Sequence, residues 1–353
     1  MEGMAGDPRR IVVLGAGVAG STFAALAAYR GFRVSVYESR DRYLKPCGEA
    51  IHVSLRPRFV TPRIRARIRK YAFYVDGELF AELVFDEPRW LIINKSSLVE
   101  EMRSVAESYG ARIYYGVKGP RVLEGVMVDA RGGFLEDGRR RVLVNRAIVE
   151  GVSVDPERVE LWFDSRRVGF YWVFPYSSRG DLANVGAGFL GEMHPHRFVA
   201  DFVARHPSLG GRIVDSKTSV ITVDGGSLYS DGAFRIGEAA GLVNPATGEG
   251  IRPAMLSAEA LVDALVEGGG RRAVLRRYAR SVSWLRRSIS LQRRILGMFE
   301  KMDAGERART IRSTPRSLLE EIYVEGWLGY RSLVAAGLRR PGLAARMARA
   351  LLW

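Results

Sequence analysis

Ile11-Val12-Val13-Leu14 is an unbroken apolar run of strand length. Gly15-Ala16-Gly17-Val18-Ala19-Gly20 follows at once, and the pattern then predicts a helix from about Ser21 to Arg30. Gly31 ends that helix, and Arg33-Val34-Ser35-Val36-Tyr37 predicts a second strand with Glu38 at its tip. Strand, glycine turn, helix and strand in this order aim a helix N-terminus at a pyrophosphate, with glycines allowing the tight turn and close backbone approach. Glu38 stands 23 residues after Gly15, near the roughly 20 expected for an acid that binds a ribose hydroxyl. Gly15, Gly17, Ala19, Gly20 and Glu38 are therefore candidate dinucleotide contacts.

A second strand-to-helix passage runs from Phe234-Arg235-Ile236 through Gly237-Glu238-Ala239-Ala240-Gly241 to a helix from about Ile251 to Leu265. Pro245, Gly248 and Gly250 let backbone lie close to a ligand at the start of that helix, where free N–H groups suit a carbonyl or phosphate. Alone, the passage is also readable as an ordinary Gly/Pro loop before a surface helix. Between the two lies Val168-Gly169-Phe170-Tyr171-Trp172-Val173-Phe174-Pro175, with Asn184-Val185-Gly186-Ala187-Gly188 beyond it. In a strand, Phe170, Trp172 and Phe174 share one face and Tyr171 and Val173 the other. That aromatic face is either sheet core or the wall of an apolar cavity. From Arg271 onward, Leu275, Tyr278, Val282, Leu285, Ile289 and Ile295-Leu296 recur at helical spacing between the pairs Arg276-Arg277, Arg286-Arg287 and Arg293-Arg294. A last helix after Arg339-Arg340-Pro341 is expected to end in Ala350-Leu351-Leu352-Trp353.

Charge changes the picture of that last quarter. Only six of the 54 basic residues are lysines, and residues 271–353 hold 19 Lys and Arg against 6 Asp and Glu, which is +13 of the chain's +15. A basic face beside an apolar one with a terminal Trp suits an anionic membrane surface; a solvated arginine-rich lobe is the plain alternative. Nucleic acid is not expected, because no aromatic–basic platform or groove-reading motif accompanies the charge. The one cysteine, Cys47, excludes an intramolecular disulfide framework and a Cys-rich zinc site; no metal site is expected, and a reducing compartment fits. The first ten residues carry no apolar signal core, and no run approaches the ~18 apolar residues of a membrane span. These features lead to the expectation of a cytoplasmic, peripherally membrane-associated protein.

Taken together, the two glycine passages resemble those of the aromatic hydroxylase-like flavoproteins, and within them the geranylgeranyl reductase family. "GEAAGLVNPATGEGI" at 237–251 is similar to that family's segment along the ribityl chain and isoalloxazine ring, with Glu238 where the family has Asp. "FYWVFP" at 170–175 with Gly186 and Gly188 looks like its substrate-cavity motif, and "KPCGEAI" at 45–51 like its Pro-Cys-Gly element beside the flavin. The resemblance implies FAD as cofactor and adds Ser39, Cys47, Gly48, Glu49, Ala50, Gly237, Glu238, Pro245, Gly248, Gly250 and Ile251 to its contacts. Lys95 stands where the family often has a cofactor-approaching arginine, and Asp129 where it has an Asp-Gly motif; a helix cap and a strand edge are equally open readings for these two. Phe170, Trp172, Phe174, Pro175, Gly186 and Gly188 become candidate substrate contacts, and Cys47 the candidate proton donor.

The implied fold is α/β, with a Rossmann-like FAD-binding domain (8–52, 90–130 and 225–270), a mixed β-sheet substrate domain (53–89 and 131–224) and a basic helical C-terminal region (271–353). The implied activity is FAD-dependent reduction of isolated double bonds in geranylgeranyl chains of membrane lipid precursors. The implied partners are a prenylated lipid and an electron donor, NAD(P)H or a small electron-carrier protein. A flavin monooxygenase on the same scaffold and a catalytically silent flavin-binding protein are the rival readings.

Overall fold

The computed structural model describes residues 7, 9–41, 45–120, 125–134 and 138–339. Tyr43, Leu44 and the expected terminal helix with Trp353 lie outside the described residues. Strand Arg10–Leu14 forms where the apolar run predicts it, with Ile11, Val12 and Val13 buried. It is central in a six-stranded sheet, parallel to Arg33–Glu38 on one side and to Val126–Asp129 on the other. Arg112–Tyr115 extends the sheet beyond Arg33–Glu38, and Ala233–Arg235 extends it beyond Val126–Asp129, both in parallel. Parallel neighbours need crossovers, and the helix Val18–Tyr29 supplies the first. That helix begins three residues before the predicted start, because Gly17 is its N-cap and Val18-Ala19-Gly20 are already helical. It is buried from Ala19 to Ala28. Its alanines let it pack closely against the helices Lys95–Ser108 and Ile251–Val266.

A seven-stranded sheet runs in the order Arg212–Thr222, Arg141–Glu150, Leu182–Phe189, Gly169–Pro175, Arg158–Phe163, Lys70–Val75, Glu78–Val84. Gly169–Pro175 pairs antiparallel with Leu182–Phe189, setting Phe170 opposite Gly188 and Trp172 opposite Gly186. A Cβ on Gly186 would fall 2.0 Å from the Trp172 ring. The glycine is the space the indole occupies. Phe170, Trp172 and Phe174 face a core with Phe73, Leu161 and Phe163, while Val173 and Tyr171 turn to the opposite face, under the helix Pro195–Arg205.

A three-stranded sheet of Ala50–His52, Trp90–Ile93 and Ile64–Ile68 lies between these layers. Alternation along its central strand puts Leu91 and Ile93 in the core of the first sheet and Ile92 in the core of the second. The Cys47 loop enters this sheet directly and is thereby held between the two cores. The C-terminal helices Arg271–Ser281, Ser283–Lys301 and Ala304–Arg312 lay their apolar stripes inward. Leu285 and Ile289 join the first core, and Leu291 and Met298 pack with Leu318, Ile322 and Leu328. Arg276, Arg286, Arg287 and Arg294 face outward.

Candidate active site

A cavity of about 880 Å³ starts at the first glycine turn, passes the Cys47 loop and ends among aromatic and aliphatic side chains. At the nucleotide end, Gly15 has φ +93°, and a Cβ there would fall 2.8 Å from the Ala130 carbonyl oxygen. The Ala16 N–H donates to Glu38 Oε2 at 2.8 Å, and buried Arg103 donates to the Ala16 carbonyl at 3.0 and 2.7 Å. Turn and strand-tip acid are thus locked to each other. Gly15, Gly17, Ala19, Glu38 and Ser39 line the cavity. Gly20 lies behind them, its missing Cβ replaced by the Gly15 carbonyl, 1.9 Å from where that atom would stand.

Two helices aim N-termini at the cavity, Val18–Tyr29 and Ile251–Val266. Both begin after a glycine with no side-chain cap, so first-turn N–H groups are left for a ligand. This arrangement fits an anionic dinucleotide. Pro245, Gly248, Gly250 and Ile251 line the cavity at the second of these ends. Glu249 beside them is gripped by Arg252 at 2.8 and 3.0 Å and by Asn244 at 3.0 Å. Burial pushes the Glu249 carboxyl above its ordinary range, against the pull of Arg252. Arg252 in turn stacks 3.6 Å over the Trp327 ring, which ties this loop to the C-terminal segment.

Glu238 lines the cavity with its carboxylate held by the Thr222 N–H at 2.8 Å and by Lys45 Nζ. A Cβ at residue 133 would fall 2.5 Å from Glu238 Oε1, so Gly133 makes the room that the longer acid needs. Gly237 does not line the cavity; its N–H donates to Ser257 Oγ at 2.9 Å and it packs on Ala19. Asp129 is also behind the wall, engaged by Arg131 at 3.1 and 2.8 Å, while Ala130, Arg131 and Gly132 line the cavity.

The Cys47 loop is held from several sides. Cys47 Sγ receives the Glu49 N–H at 3.1 Å and Lys95 Nζ at 2.8 Å, and Lys95 Nζ also donates to the Lys45 carbonyl at 2.7 Å. Lys95 is the first residue of its helix, with Asn94 as N-cap accepting the Ser97 N–H at 3.1 Å. Asn184 donates to the Cys47 carbonyl at 2.9 Å while accepting the Trp172 indole N–H at 3.0 Å. Glu49 sits at φ +58°, a left-handed conformation uncommon for a side-chain-bearing residue. Its buried carboxylate accepts from the Lys95 N–H at 3.2 Å and from the Tyr176 hydroxyl at 3.0 Å. Burial, with Glu49 next to it, pushes the Tyr176 phenol up to about 12. A Cβ on Gly48 would meet Phe174 Cε2 at 2.6 Å, so the loop lies directly on the aromatic strand.

Residues 13–52 match the description "NAD(P)-binding Rossmann-like domain", and residues 200–346 match "Lycopene cyclase protein". The chain is 29% identical to digeranylgeranylglycerophospholipid reductase 2 of Methanothermobacter thermautotrophicus, covering 73% of this chain and 80% of that one. It is 28% identical to digeranylgeranylglycerophospholipid reductase 1 of Methanopyrus kandleri, covering 84% and 92%. This chain resembles the digeranylgeranylglycerophospholipid reductases. Its fold is that of a geranylgeranyl bacteriochlorophyll reductase-like protein of Thermoplasma acidophilum, with TM-score 0.79, 16% identity, and coverage of 97% and 98%. A flavin-dependent brominase shares the fold at TM-score 0.65 and 16% identity, covering 94% of this chain and 99% of that one.

Of the substrate contacts that the likeness to these reductases suggested, Phe170, Trp172, Phe174 and Gly188 line the cavity. Pro175 and Gly186 do not; Gly186 serves by seating the Trp172 ring. The larger omission from the sequence reading is the opposite wall. Leu296, Met298, Phe299, Ile311, Leu319 and Tyr323, all from the basic C-terminal region, complete the chamber. Their signal was the helical apolar stripe, which marks a buried face without saying what it covers. Among the described residues no helix is long and apolar enough to cross a membrane, and no group of His, Cys, Asp and Glu could hold a metal ion.

Proposed function

We propose that this protein uses FAD to reduce isolated double bonds in geranylgeranyl chains of a membrane lipid precursor. The supporting observation is a single cavity that joins two uncapped helix N-termini to an aromatic chamber through the Cys47 loop. Bound and reduced, the flavin supplies hydride. An unpolarised alkene also needs a proton at the neighbouring carbon, so the protein must orient the chain, exclude water and supply that proton. Phe170, Trp172 and Phe174 orient the chain along the strand face. The C-terminal helices close the chamber against water. Cys47 lies where the aromatic wall meets the cofactor end, and Lys95 Nζ, 2.8 Å from its sulfur, keeps a proton-bearing group at that atom.

The membrane is the proposed source of the lipid. Trp284 and Tyr330 are 41% and 54% exposed, and Arg287 and Arg331 are exposed as well; exposed aromatic and basic side chains of this kind suit an anionic bilayer. NAD(P)H or a small electron-carrier protein would reload the flavin.

The test is anaerobic. Protein carrying reduced flavin is mixed with a geranylgeranylated lipid, and flavin absorbance and lipid mass are followed. Flavin reoxidation with mass gain in hydrogen pairs supports the reading; no reaction with any prenyl lipid, or a requirement for oxygen with oxygen in the product, rejects it.

A further inference from the structure

Arg293, in the helix Ser283–Lys301, is partly buried, yet among the described residues no hydrogen bond or ion pair engages its guanidinium. The group lies against Gly225, where a Cβ would fall 1.8 Å from Nη1 and 2.8 Å from Cζ. The nearby carboxylates are taken. Asp224 accepts the Arg140 N–H at 2.7 Å and pairs with its guanidinium at 3.6 Å; Glu300 takes the same guanidinium at 2.6 and 2.7 Å. Arg286 stands two turns earlier on the same helix. Burial pulls Arg293 below its ordinary value; Asp224 opposes this and the Arg286 charge adds to it. Two guanidiniums with forked donors and, among the described residues, no paired acid are complementary to an anion with several oxygens.

The position of this pair indicates which anion. Val223, two residues before Gly225, lines the cavity, as do Gln292 and Leu296 on either side of Arg293. Gly226 packs on Ala240, two residues past Glu238, with a Cβ there falling 2.5 Å from the Ala240 carbonyl carbon. Arg293 therefore lies just behind the cavity wall between its cofactor end and its apolar chamber, with the exposed Arg286 on the outer side of the same helix. We propose that Arg293 and Arg286 form a phosphate subsite at the cavity rim, holding the phosphate of a lipid headgroup while the chains lie in the chamber. The lipid part of this assignment rests on the prenyl-reductase reading; the phosphate part rests on the unpaired guanidinium.

FAD-loaded full-length protein titrated with geranylgeranyl phosphate, geranylgeraniol and inorganic phosphate, followed by tryptophan and flavin fluorescence, tests the proposal. The expected result is binding of the phosphate ester at least about tenfold tighter than the alcohol. Arg293→Gln and Arg286→Gln should each bring that ratio toward one, with FAD content and melting temperature as the check on folding. Gly225→Ala keeps both charges but displaces the guanidinium, and should lower the ratio as well. A wild-type ratio near one, or a ratio that survives all three substitutions, overturns the subsite. Inorganic phosphate binding as tightly as the prenyl phosphate would make this a free-phosphate site and overturn the headgroup assignment. If the ratio behaves as expected but reduced protein hydrogenates neither prenyl compound, the reductase reading fails and the phosphate subsite stands.

Discussion

Cys47 Sγ takes one N–H from its own loop and one from Lys95, 48 positions away. Under the proposed mechanism, Cys47→Ser slows single-turnover alkene reduction about tenfold or more while FAD still binds, as followed by stopped-flow flavin absorbance. An unchanged rate in Cys47→Ala would remove any chemical role for the thiol. The loop's identity was legible because Pro46-Cys47-Gly48 is contiguous. Its partners were not. Lys95 read equally well as a cofactor contact or a helix cap, and in the structure it begins the helix and also reaches the sulfur. The Lys45–Glu238 pair spans 193 positions, and Gly133, which makes the longer acid possible, carries no local mark of that duty.

At the scale of elements, the aromatic strand and its glycine-bearing neighbour work as one unit. Alternation predicted that Phe170, Trp172 and Phe174 share a face, and they do. The register that sets Gly186 under Trp172 depends on the pairing of two strands, which periodicity in one of them does not specify. Gly186→Val should therefore overpack the indole and cost about 1–3 kcal/mol, read as a lowered denaturant midpoint at unchanged slope. The first strand–helix–strand unit was the most legible part of the chain, because its apolar runs, glycine turn and strand-tip acid follow one another directly in sequence. The helices beyond Arg271 were legible as amphipathic and basic, but not as the lid of a chamber. An apolar stripe reports burial and is silent about its partner.

For the whole molecule, two dependences on conditions follow. His52 is buried, and burial together with Arg252 lowers its pKa against the opposing pull of Glu325. The unfolded chain, near about 6.5, then binds the proton more readily than the folded one. The stability that neutral His52 contributes is complete above that value and is lost as pH falls through its lowered folded value. Urea midpoints should drop between about pH 7 and pH 5, and His52→Gln should lessen the drop. Under the proposed docking on a bilayer, attachment to anionic vesicles should weaken steeply as salt rises toward about 0.5 M, where exposed charges are screened within a few ångströms. Salt-insensitive attachment would point to apolar insertion alone. Under the proposed function, one cavity brings reduced flavin, a prenyl chain and a proton source together. Anaerobic single turnover with a geranylgeranylated lipid tests it most directly. Flavin reoxidation in step with a mass gain of two hydrogens per double bond is expected; a reduced flavin that stays reduced with every prenyl lipid offered would rule the reductase out.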